Sequence, residues 1–227
     1  MCQNSHVAEN SLNPETVSAS VPQDSISHTA YALASQHLPP AILNHCLRVW
    51  VYARELGEHE GLSSSRFPLL FAACILHDIG ATPAFAKLDS EELQRFEIEG
   101  ADAAASLLRA AEDPSISHDD IEEVWRAIAL HSTPQIAERM GGLVRIVRLA
   151  VLSDFQRGVV AGKEGLQTEI EAQFERLDIE RVLADAVIQQ ALCSRMPAGK
   201  APAASWPNDL LRAYRSNPKG KGVNEGF

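Results

Sequence analysis

The chain is short of positive charge. Its 227 residues carry 20 Lys and Arg against 30 Asp and Glu, a formal net charge of −10. Affinity for nucleic acid comes mainly from neutralised phosphates, so an acidic chain without a basic stripe is a poor nucleic-acid binder. Long apolar runs are also missing: no stretch reaches the roughly 18 residues that a membrane helix needs. The first residues, MCQNSHVAENSLNPETVSAS, lack both the basic start and the apolar stretch of a secretory signal. The expectation is a soluble, cytoplasmic protein with neither nucleic acid nor membrane as partner. The four cysteines, Cys2, Cys46, Cys74 and Cys193, form no C-x-x-C pair. Cys46 and Cys74 fall inside apolar helical patterns and read as reduced core thiols. There is no Walker loop, no G-x-G-x-x-G after a strand and no G-x-S-x-G, so no organic cofactor is indicated.

What the chain does have is helical periodicity. With 45% hydrophobic residues, it can bury one core of ordinary size. Residues 1–26 are rich in Ser, Asn and Pro and read as a flexible arm; residues 197–227 read as a Pro/Ala linker, a short helix around Asn208–Arg215 and a flexible tail. Between them, 27–196 reads as one helical domain. Ala41–Leu56 is apolar at Ile42, Cys46, Val49, Trp50 and Ala53, a 3.6-residue stripe that follows Pro39 and Pro40. Phe67–Leu76 is apolar all round, as a central buried helix would be. Helical patterns continue over Glu97–Ala111, His118–Leu130, Leu143–Phe155, Gly165–Leu177 and Ile179–Cys193. No strand-like alternation competes, so the fold class is all-α.

Several of these apolar stripes end in His or Asp. His77-Asp78 closes the most apolar helix, and an Asp is almost never fully buried unless it is paired or binds a metal. His45 lies in register with Ile42 and Val49 and faces inward. Asp154 continues the stripe Leu143, Val147, Ala150, and His131 continues Ile121, Val124, Ile128. Alone, each is more often a satisfied buried polar group. Together they fit one divalent cation held by imidazole nitrogen and carboxylate oxygen.

The order His45 … His77-Asp78 … Asp154 resembles the HD superfamily of metal-dependent hydrolases over roughly residues 40–160. Segments NHCLRVW (Asn44–Trp50), LHDIGAT (Leu76–Thr82), RFEIEGADAA (Arg95–Ala104), AIALHS (Ala127–Ser132) and LAVLSDFQRG (Leu149–Gly158) are similar to the cyanamide hydratase-like branch. The resemblance implies a single compact helical bundle and a metal held by His45, His77, Asp78 and Asp154. It implies one Zn2+, with Fe2+ or Mn2+ the alternatives. The implied reaction is attack of metal-activated water on a small nitrogen-containing substrate, such as hydration of C≡N. Many HD phosphodiesterases carry Lys directly after the Gly of HDxG. Here Ala81 and Thr82 follow Gly80, which points away from phosphoesters, although Arg48, Lys87 or Arg95 can supply a cation. A two-metal site needs more inward His than the chain offers: His118 reads as a helix-start residue and His59 lies near a turn.

In this reading Asp78 is a ligand that can also take a proton from water, and His131 donates a proton to the developing nitrogen anion. Arg48 and Glu97 are placed beside the metal, pairing with each other or orienting ligands. Thr82, Phe85 and Phe96 are candidate pocket walls, and loop 81–95 a candidate lid. Trp50 and Trp125 read as core, and Glu122-Glu123 as a solvated face. Three other readings stay open: a nucleotide or phosphomonoester phosphohydrolase, a two-iron oxygenase, and a non-catalytic binding module. The oligomeric state is open too, a homo-oligomer included.

Overall fold

The fold is built around the chain's most apolar helix. A computed structural model describes residues 17, 19–88, 94–155 and 165–218. Helix α3 (Phe67–Leu76) has every residue from Leu69 to Leu76 buried. A helix apolar on all sides belongs inside a ring of others. That ring is α1 (Ser25–His37), α2 (Pro40–His59), α4 (Phe96–Ala110), α5 (His118–Leu130) and α6 (Gly142–Asp154), all of which pack on α3. Helices α7 (Leu166–Gln173), α8 (Ile179–Cys193), α9 (Pro197–Lys200) and α10 (Trp206–Ser216) complete the chain. No strand occurs among the described residues.

Local chemistry sets the helix starts. Pro40 opens α2, where a missing N–H costs nothing. Ser117 and Asp120 form a reciprocal capping box at α5. Glu123 does the same service in trans: its Oε1 accepts the Leu143 N–H at the start of α6, at 2.9 Å, and its carboxylate pairs with Arg66. Glu123 is thus a helix-joining residue rather than part of a solvated face. Trp50 is core as expected, and its Nε1 donates to the Ser20 carbonyl.

Two boundaries differ from the sequence reading. The stretch assigned to a flexible arm is packed at Val17 and Val21, which are buried in the core, and α1 begins at Ser25 behind an Asp24 cap. Helix α1 buries Ile26, Ser27, Ala30 and Ala34. A stripe of small residues packs closely but carries little hydropathy signal. The Pro/Ala linker contains α9, with Lys200 and Ala201 both buried. Residues 1–16 of the arm and 219–227 of the tail lie outside the described residues.

Candidate metal centre

Directly after α3 the chain makes a tight turn, Ile79–Ala81, and it carries His77 and Asp78 with it into the core. The turn lies against the start of α4. A Cβ at Gly80 would stand 2.0 Å from the Phe96 carbonyl oxygen and 2.6 Å from the Gly100 nitrogen. Only glycine permits that backbone approach. His45 comes from the second turn of α2, and Asp154 ends α6, which packs on α2.

Each of three imidazoles has its Nδ1 engaged by an acceptor. His45 Nδ1 donates to Asp154 Oδ2, His77 Nδ1 to the Cys74 carbonyl and His131 Nδ1 to the Ile128 carbonyl, each at 2.7 Å. A carbonyl or carboxylate oxygen can only accept, so Nδ1 carries a proton and a ring that is neutral turns its Nε2 lone pair inward. His45 Nε2 lies 3.1 Å from His77 Nε2; Asp78 Oδ2 lies 3.2 Å from the latter and 3.5 Å from the former. Two facing lone pairs and a carboxylate oxygen repel unless a proton or cation stands between them. A triangle of those sides has its centre about 1.9 Å from each corner, so one point can lie at the ~2.0–2.2 Å of a zinc–nitrogen or zinc–oxygen bond from all three.

Asp78 sharpens the fit. It is fully buried, and neither of its oxygens has a hydrogen-bond partner among the described residues. A buried carboxylate left this way is costly unless a cation compensates it. Burial alone would raise its pKa, but positive charge and donated hydrogen bonds from the facing imidazoles, His77 first, hold it well below the usual carboxylate range. His131 Nε2 is 3.4 Å from Asp78 Oδ1. His45, His77 and Asp78 therefore form a buried group with the atoms and spacing to hold a divalent metal.

The fourth expected ligand stands elsewhere. Asp154 is behind His45, with both oxygens occupied. Arg48 clamps it through Nε to Oδ1 at 2.6 Å and Nη2 to Oδ2 at 2.8 Å, and His45 Nδ1 takes the other face of Oδ2. These partners hold its pKa below the usual range against the opposing effect of burial. Asp154 thus fixes the tautomer and angle of His45, an arrangement common behind metal-binding imidazoles. Arg48 is itself fully buried, and its Nη1 donates to the carbonyls of Phe174 and Glu175.

Arg48 and Glu97 do not pair with each other. Glu97 is fully buried and held by Arg95, at 2.6 and 2.9 Å, and by the Ser132 hydroxyl at 2.5 Å. Thr82 is buried, but its hydroxyl folds back to the Ile79 carbonyl. Phe85 packs edge-on against His37. Phe96 lies edge-on to His131, ring centroids 5.7 Å apart. Of the lid segment 81–95, residues 89–93 lie outside the described residues. Sequence reasoning missed Phe155, whose ring is 4.8 Å from His45, and Ser132. Each directly follows a residue it had singled out, which was the available signal. Arg176, which donates to the Asp154 carbonyl, carried none. Cys46 and Cys74 are buried free thiols, as expected, and Cys193 is exposed.

Fold and site together define a helical scaffold built around an inward-facing His-His-Asp group. The chain belongs to the HD domain family, whose profile matches residues 42–176. HD domains are generally metal-dependent hydrolases, and the buried group is compatible with that activity. No curated protein matches the chain. No helix among the described residues is long and apolar enough to cross a membrane.

Proposed function

We propose that this protein is a hydratase or hydrolase of the cyanamide hydratase-like kind, adding water to a small, uncharged, nitrogen-containing molecule such as one bearing C≡N. His45, His77 and Asp78 would hold one divalent ion, Zn2+ by analogy with that branch, and Asp154 would orient His45. A bound divalent ion supplies a Lewis acid that lowers the pKa of water from about 15.7 toward 7.

The observation that carries the substrate reading is where the cations go. Arg48 is consumed by Asp154 and two carbonyls, and Arg95 by Glu97 and Ser132. Lys87 lines an outer groove with Asp102, Arg109 and Trp125. Of the three cations that sequence reasoning offered for a phosphate, two are thus committed elsewhere and Lys87 lies on an outer groove, while Phe96 and Phe155 stand beside His131 and His45. Apolar walls and committed cations suit a small neutral molecule better than a phosphoester.

His131 supplies the proton traffic. Its Nδ1 proton is held by Ile128, so the neutral ring can only accept at Nε2. It takes the proton that water loses as the C–O bond forms. The resulting imidazolium is steadied by Asp78 Oδ1, and Nε2 then returns the proton to the substrate nitrogen. The sequence reading of His131 as a donor therefore gains a preceding step. A positioned group of this kind contributes roughly 10²–10⁴ in rate. Assays of the zinc and manganese forms against cyanamide and a nucleotide panel test the reading. Urea production lost in His131→Ala is expected; phosphate release without urea contradicts it.

A further inference from the structure

The HD profile ends at residue 176, yet the chain beyond it closes on the metal turn at one point and on the start of α4 at two. From α8, Gln190 Nε2 donates to the Gly80 carbonyl at 2.7 Å. At the end of α9, Lys200 forms a buried ion pair with Glu99, whose Oε1 also accepts the Lys87 N–H at 2.9 Å. At the start of α10, the Trp206 ring stands edge-on to Phe96, centroids 5.8 Å apart. Phe96 is 1% exposed, and its ring lies against His131. A buried ammonium is costly unless it is paired, so the Lys200–Glu99 contact fixes this segment in one place. Trp206 lies just past that fixed point and packs on Phe96, the ring that also lies against His131.

We propose that Trp206 is a specificity-determining residue. By backing Phe96, it limits how bulky a molecule can stand beside His131 at the metal centre. The proposal rests on the metal reading above but not on the identity of the substrate. With the indole removed, Phe96 gains room to tilt away from His131, and the space beside the centre grows. A merely structural role for Trp206 would change stability without changing size discrimination.

The test uses the full chain loaded with Co2+ and titrated with imidazole and with 4-phenylimidazole, read from the visible spectrum of the cobalt. Wild type is expected to bind imidazole and to discriminate against its phenyl derivative. Trp206→Ala should bind 4-phenylimidazole at least about tenfold better relative to imidazole, and Trp206→Phe should restore most of the discrimination. Trp206→Leu serves if the alanine variant does not fold. An unchanged affinity ratio in a variant that still shows the wild-type cobalt spectrum overturns the proposal, whatever happens to its melting temperature. Absence of a cobalt spectrum from wild type overturns the metal reading and this proposal together. Failure to make urea from cyanamide counts against the reaction alone, because the affinity ratio needs no turnover.

Discussion

Two buried carboxylates lie on either side of the His45 ring, and their surroundings are opposite. Asp154 has a bidentate guanidinium and an imidazole N–H; its charge is balanced inside the protein. Asp78 has neither a hydrogen bond nor a guanidinium among the described residues, only imidazole nitrogens that turn lone pairs toward it. The same side chain is complete in one place and waiting in the other. A carboxylate of the second kind needs a positive charge beside it, which a protonated His77 or a bound cation supplies, and the converging Nε2 atoms give a cation its ligands.

The comparison can be broken most sharply at Asp78. Asp78→Asn should take metal content from one ion per chain to near zero, measured by elemental analysis. Without metal, Asp78→Asn should not stabilise the fold, because the low pKa of Asp78 means that the facing imidazoles already favour its charge. Metal content unchanged from wild type would contradict the account. Arg48→Met should act the other way, leaving the buried Asp154 charge without its bidentate partner and the Phe174 carbonyl without its donor. It should cost about 3–5 kcal/mol in urea unfolding. Asp154→Asn sharpens the contrast: metal affinity by competition titration should fall roughly 10–100-fold rather than vanish, the usual effect of a group that orients a ligand. The smallest effect belongs to a control far from the centre. Ser117→Ala should lower stability by about 1 kcal/mol through loss of the α5 cap, with metal affinity unchanged.

Much of this was legible in the sequence. The apolar run from Phe67 to Leu76 announced the central helix, and 3.6-residue registry turned His45 and Asp154 inward. Periodicity gives direction but not partners. It put Arg48 one turn from His45 without saying that the guanidinium would take Asp154, 106 residues away, or that Glu97 would choose Arg95 and Ser132. Those choices depend on how α2, α4, α5 and α6 cross. Helix α1 escaped because Ala and Ser fill its buried face. Helix α9 escaped because Pro- and Ala-rich composition resembles a linker, and a single buried Lys reads as surface until its partner is known.

X-ray absorption spectroscopy at the metal edge of the zinc-loaded protein tests the central claim most directly. One ion per chain, with two imidazole nitrogens and a carboxylate oxygen at about 2.0–2.2 Å, is the expected result. A protein that takes up no stoichiometric metal, or a spectrum without imidazole ligands, would contradict it.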